Sequence, residues 1–185
     1  TLLRDVSGNV SNIYGLVYSN GSLYLVNTAG INIGAQARIE VANFVASTLD
    51  ISNEDFLAGN LNFKKAEGFA NAQILNKGKI TVRNGGYVAL LAGAVDNQGT
   101  IIAQYGSVSL ASGEEATILY LDDLGEIGVV VDEAVKTEVL GIDGEKVDSA
   151  IENSGTIRAD GGVVLLTSKS LNKVFDYAIN NTGII

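Results

Sequence analysis

A five-residue pattern, Asn-x-Gly-x-Ile, recurs four times in this chain, and few folds accommodate such a recurrence. The copies are Asn76-Lys-Gly78-Lys-Ile80, Asn97-Gln-Gly99-Thr-Ile101, Asn153-Ser-Gly155-Thr-Ile157 and Asn181-Thr-Gly183-Ile-Ile185. Their asparagines lie 21, 56 and 28 residues apart. After each of the first three comes a small turn and a β-rich run: Gly85-Gly86-Tyr-Val-Ala-Leu-Leu, Tyr105-Gly106-Ser-Val-Ser-Leu and Gly161-Gly162-Val-Val-Leu-Leu. Val, Ile and Leu favour strands, whereas Asn and Gly tolerate the positive φ that turns demand.

A unit this short, with two or three brief strands, cannot bury its own apolar face. Stacking the units as coils of a parallel β-helix pairs each strand with its equivalent one turn on and joins the inward side chains into a continuous column. The asparagines of successive coils would then stack as a ladder. An antiparallel sandwich is the competing all-β arrangement, but it does not require near-identical turns in register. The chain has no Pro, which suits strands paired on both edges.

The 56-residue gap predicts an insertion over about 114–150. Within it, Ala116-Thr-Ile-Leu-Tyr-Leu121 and Ile127-Gly-Val-Val-Val131 read as a hairpin around an acidic turn, with a second acidic turn at Gly141-Ile-Asp-Gly144. Such a hairpin would project from the stack. The first half reads as further short strands: Ile13-Tyr-Gly-Leu-Val-Tyr18, Ser22-Leu-Tyr-Leu-Val26, Ile31-Asn-Ile33 and Ala37-Arg-Ile-Glu-Val41. Ser52 suits a helix N-cap, Glu54 and Asp55 suit a first turn, and Gly59 suits the residue past the end, so one short helix is expected there.

Composition narrows the chemistry. With no His and no Cys there is no Ser-His-Asp or Cys-His nucleophile and no ordinary zinc site. The chain is 46% hydrophobic and 18% charged, as a folded chain is, and its length suits a single domain over 1–185. The net charge of −9 repels nucleic acid unless basic residues cluster, and Lys64-Lys65 is the only adjacent basic pair. No Met begins the chain and the last repeat stops as it starts, so the expectation is the N-terminal part of a longer solenoid.

Three stretches carry a resemblance. Asn20-Gly-Ser-Leu-Tyr-Leu-Val-Asn-Thr-Ala-Gly-Ile31, Ala46-Ser-Thr-Leu-Asp-Ile-Ser-Asn-Glu-Asp-Phe-Leu-Ala-Gly59 and Gly85-Gly-Tyr-Val-Ala-Leu-Leu-Ala-Gly93 are similar to the N-terminal haemagglutination-activity, or two-partner secretion, domain of filamentous-haemagglutinin-like exoproteins. The resemblance implies a right-handed parallel β-helix with an extra-helical hairpin and one short helix. It also implies export through a dedicated outer-membrane transporter whose periplasmic domains recognise this domain, a secreted or surface-attached location, and folding that seeds a longer solenoid. The family's Asn-Pro-Asn-Gly turn falls at Asn27, Thr28, Ala29 and Gly30, and the match at Asn27 and Gly30 makes this the candidate recognition turn, although Thr28 and Ala29 depart from the family's residues.

Other groupings have weaker claims. Asp122-Asp123 with Glu126, and Asp132-Glu133, lack the regular ligand spacing of a calcium loop and read as solvated turn charges. Asp50, Glu54 and Asp55 read as helix-capping groups rather than a carboxylate pair for glycoside hydrolysis. Tyr14, Tyr18 and Tyr24 would form a contact surface for a protein or glycan if they shared a face. No metal or cofactor is implied. The leading reading is a non-enzymatic secretion and folding-nucleation domain of a large adhesin-like exoprotein, with a host receptor or glycan as a further partner. A self-stacking subunit of an extracellular filament is the alternative, and a polysaccharide-acting enzyme comes third.

Overall fold

The computed structural model describes residues 1–5, 7–121 and 126–185. Short strands wind into a parallel β-helix with three faces, visited in the same order by each coil. Face A holds, in spatial order, Leu2–Asp5, Ser22–Asn27, Asn43–Ser47, Tyr87–Ala92, Ser107–Ser112 and Val163–Ser168. Face B holds Ser11–Ile13, Ile31–Ile33, Gln73–Asn76, Ala94–Asn97, Ser149–Asn153 and Tyr177–Asn181. Face C holds Leu16–Tyr18, Arg38–Val41, Lys79–Val82, Thr100–Ile102 and Thr156–Arg158. The expected parallel β-helix is therefore present, and the antiparallel sandwich is not.

Each Asn-x-Gly-x-Ile copy turns the corner from face B to face C. Its Asn ends the face B strand, its Gly sits in the corner, and the Ile of the first three copies begins the interior column of face C. Ile39, Ile80, Ile101 and Ile157 are in register and almost wholly excluded from water. Burying an isoleucine contributes about 1.5–3 kcal/mol, more than the roughly 1–2 kcal/mol needed to order its backbone, but only once a neighbouring coil covers it.

The glycines of this corner are there for a different reason than positive φ. Gly78, Gly99, Gly155 and Gly183 all lie outside the positive-φ region. A Cβ on Gly99 would lie 2.1 Å from the Gly78 carbonyl oxygen, and one on Gly155 equally close to that of Gly99. Coil-on-coil backbone contact excludes every side chain here.

The uneven repeat spacing has one cause. The described residues of segments 48–72, 113–148 and 169–176 all leave the solenoid at the corner between face A and face B, in the third, fifth and sixth coils. The fourth coil is minimal, with Gly93 alone joining Tyr87–Ala92 to Ala94–Asn97.

The hairpin does not project. Glu115–Tyr120 pairs antiparallel with Ile127–Glu133 on one side and with Asn62–Lys64 on the other, and this small sheet lies against the outer surface of face A. Face A is apolar on both sides, so Tyr24, Val45, Tyr87, Ala89 and Leu91 point outward into a second core with Phe63, Ala116, Ile118 and Val129. Asn53–Ala58 forms the short helix, with Ser52 Oγ accepting from the Asp55 N–H at 2.9 Å and Gly59 at φ 77°. Among the described residues no helix is long and apolar enough to cross a membrane.

Candidate functional site

Asn27 ends its strand fully excluded from water and is held on every side. Its Oδ1 accepts the Ala29 N–H at 2.8 Å, shaping the turn. Its Nδ2 reaches back to the first coil, donating to Asn9 O at 2.9 Å and Ser11 Oγ at 2.7 Å. Gly30 adopts φ 124°, a region that a residue with a Cβ seldom enters, and its carbonyl accepts the Ser11 N–H at 3.0 Å. Thr28 is 2% exposed, and its buried Oγ1 lacks a partner among the described residues.

The 141–144 turn of the insertion covers this site. A Cβ on Gly30 would meet Ile142 Cδ1 at 3.1 Å, and the Ile142 N–H donates to Gln73 Oε1 at 3.0 Å. In the folded domain the side chains of Asn27 and Thr28 are therefore out of reach, and only Ala29 is half-exposed. Asn9, Ser11, Gln73 and Ile142 all support the turn from distant sequence positions, and no local pattern marks them.

The other asparagines form a ladder through the interior. Asn76 Nδ2 donates to Asn97 Oδ1, Asn97 Nδ2 to Asn153 Oδ1, and Asn153 Nδ2 to Asn181 Oδ1, each at 2.7 Å. Asn76, Asn97 and Asn153 have no exposed surface, and the Gly78 N–H donates to Asn76 Oδ1 at 3.1 Å. The side chains of Asn76, Asn97 and Asn153 are spent on one another, on Asn181 and on the corner.

A second polar cluster joins two of the departing segments. Asn71 Nδ2 donates to Glu114 Oε1 at 3.0 Å and to Thr137 Oγ1 at 2.9 Å, and the Lys136 N–H donates to the same Glu114 oxygen at 2.9 Å. Burial pushes the Glu114 carboxyl up, but these hydrogen bonds and the charges of Lys65 and Lys136 outweigh it and hold it below the usual carboxylate range.

The three tyrosines do not share a face. Tyr14 and Tyr18 stand exposed on the first coil, whereas Tyr24 is buried outside face A, where its hydroxyl lies 2.8 Å from that of Tyr87 and 3.3 Å from that of Tyr120. Burial pushes the Tyr24 and Tyr87 phenols well above their ordinary value. The alternation of strand side chains places Tyr24 outward, and only the overlying hairpin decides that outward here means buried.

Four of the carboxylates singled out from sequence, Asp50, Asp55, Asp132 and Glu133, are engaged by other side chains. Asp50 receives two hydrogen bonds of 2.6 Å from Arg4, and Asp55 accepts from Ser52 Oγ at 2.7 Å. Asp132 accepts from Thr117 Oγ1 at 2.7 Å, and Glu133 pairs with Lys136. Asp122 and Asp123 lie outside the described residues.

Comparison with known proteins supplies what geometry alone does not. The family described as TPS secretion domain, where TPS is two-partner secretion, matches residues 1–185. A heme/hemopexin-binding protein of Haemophilus influenzae is 31% identical over 177 residues, spanning 92% of this chain and 18% of that protein. The crystal structure of the HMW1 secretion domain from Haemophilus influenzae superposes with a TM-score of 0.66 at 32% identity, covering 95% of this chain and 46% of that one. The chain thus spans less than half the length of either relative.

Proposed function

The chain belongs to the TPS secretion domain family, whose members carry two-partner-secreted exoproteins out of the cell, and from that membership we propose that its transporter reads the 27–30 turn before the domain has folded. The observation that carries this reading is burial. Asn27 and Thr28 are sealed by the first coil on one side and by the 141–144 turn on the other. A partner that needs those side chains must meet them while residues 1–13 and 141–144 are still away from the turn.

Folding then removes the signal. Once Asn27 Nδ2 engages Asn9 and Ser11, the first two coils are joined and the Asn27 side chain is no longer on offer. Release from the transporter and nucleation of the solenoid become one event, with the coil edge at Val163–Ser168 offering its unpaired side as a template for further strands. Attachment to the outer surface, adhesion to a receptor and end-to-end self-stacking extend the same proposal to the full exoprotein.

Export through the cognate transporter tests it. Asn27→Asp keeps size and the acceptor while removing the Nδ2 donor, and deletion of 20–59 removes the turn with its surroundings. The expected outcome is that the deletion abolishes export, and that Asn27→Asp lowers export more than an Asn97→Asp change that destabilises the fold equally. Equal export by the two point variants would refute reading of the turn. Undiminished export by the deletion would remove the role of this region altogether.

A further inference from the structure

Basic residues that are scattered in sequence gather in the fold. Arg38, Lys77 and Lys79 stand at one end of a trough of about 920 Å³ that follows the corner between faces B and C down the solenoid. The glycine column, Gly78, Gly99, Gly155 and Gly183, is its floor, because no Cβ fits there. The two variable positions of Asn-x-Gly-x-Ile are its walls. Lys77, Gln98 and Ser154 rise on one side, and Lys79, Thr100 and Thr156 on the other.

The lining contains no Asp or Glu, although the chain carries a net charge of −9. Among the described residues Arg38 and Lys79 make no salt bridge, while Lys77 shares its field with Asp96 on the adjoining face. Three cations outside any salt bridge among the described residues, at the head of a channel lined by hydroxyls and amides, favour an anionic ligand with a polar track leading from them.

The geometry selects the ligand class. Coils repeat at about 4.8 Å, so each adds one residue to either wall, and a ligand using several coils must be linear and periodic. The trough has no aromatic side chain, which disfavours single-stranded nucleic acid, whose bases need stacking platforms. A peptide strand would seek a free sheet edge, and the strands flanking the floor of the trough are paired within their faces. A polar floor and walls give an apolar small molecule little to bury. We propose that the trough binds an extended acidic polysaccharide, its carboxylate or sulfate groups held by Arg38, Lys77 and Lys79 and its hydroxyls by Thr100, Ser154 and Thr156, Gln98 being tied through its Nε2 to Asp96 Oδ2 at 2.7 Å. This rests on the trough alone and is independent of how the chain is exported.

Isothermal titration of the 185-residue chain tests it, with polygalacturonate oligosaccharides as the uronate probe and dextran sulfate oligosaccharides as the sulfate probe. Neutral dextran and oligothymidylate serve as controls. Wild-type chain is compared with Arg38→Gln/Lys77→Gln/Lys79→Gln and with Thr100→Val/Thr156→Val, folding being checked by circular dichroism. The three basic side chains are exposed, so the first variant retains the fold, and Lys79→Gln alone is the fallback. At least one acidic glycan should bind with affinity that falls as salt rises. The basic-site variant should weaken it on the order of tenfold or more, as loss of charge-assisted contacts does. The Thr variant should weaken it a few-fold. Absence of binding by both acidic probes, or equal binding by the basic-site variant, overturns the proposal. So does oligothymidylate binding as tightly as glycan with no effect of the Thr variant, which would reduce the trough to a plain charge patch.

Discussion

Replacing Asn97 by Ala should be among the most damaging single changes in the interior, and the structure gives the size of the effect. Asn97 accepts from Asn76 and donates to Asn153, both at 2.7 Å, and has no exposed surface. The substitution leaves the Asn76 Nδ2 donor and the Asn153 Oδ1 acceptor without their ladder partner where water has no entry. Each such group costs about 1–3 kcal/mol, giving a combined loss of about 3–5 kcal/mol with the small void included. Asn181 is the internal control. It accepts the same kind of bond from Asn153 but is exposed, so water replaces the lost partner and Asn181→Ala should cost about 0.5–1 kcal/mol. Equilibrium urea unfolding followed by far-UV circular dichroism measures both. A double Asn97→Ala/Asn153→Ala variant should lose at least about 1 kcal/mol less than the sum of the singles, because the two defects share one bond. If Asn97→Ala costs no more than Asn181→Ala, the ladder is not a buried network and the reasoning fails.

Two further predictions bear on the same coils. Gly99→Ala should cost more than about 3 kcal/mol by urea unfolding, since its Cβ would lie 2.1 Å from the Gly78 carbonyl oxygen, whereas Gly59→Ala, with open space around it and φ 77°, should cost about 1–2 kcal/mol. Because the folded domain holds the Glu114 carboxyl below its ordinary value, its contribution is full above the unfolded value of about 4.3 and is lost as pH falls through the folded one. The stability of Glu114→Gln should therefore fall less steeply than wild type below that point, and identical acid profiles would contradict the assignment.

Much of the solenoid is legible in the sequence because coil-to-coil contact repeats. Asn76, Asn97, Asn153 and Asn181 announce the ladder because the same pattern recurs in successive coils, and Ser52 with Gly59 announces the helix because its caps are near neighbours in the chain. What stays hidden depends on distant contacts. Gly78 and Gly99 look like positive-φ turn residues until the backbone of the next coil is seen beside them. Tyr87–Ala92 and Ser107–Ser112 bury every residue, which marks face A as covered on both sides, but nothing in the strands says that the hairpin supplies the cover. Residues 13–18 read as one strand, whereas Gly15 divides them between faces B and C. The burial of Asn27 depends on Asn9 and Ser11, and the covering of Gly30 on Ile142, contacts that no local pattern around the turn reveals. Arg38 and Lys79 are far apart in sequence and become neighbours only because two coils separate nothing but a strand spacing.

The minimal fourth coil has a consequence for cooperativity. In a simple stack each coil depends only on its neighbours, and order spreads one unit at a time. Here the corner at Gly93 is so short that segments from the third and fifth coils meet across it, with Asn71 bridging to Glu114, Thr137 and the Val139 backbone. The third coil is thereby tied to the fifth as well as to the fourth. Coils three to five are therefore expected to melt and form as one block set into an otherwise additive rod, and native-state hydrogen exchange should show their strands opening together, whereas separate openings of the third and fifth coils would contradict it.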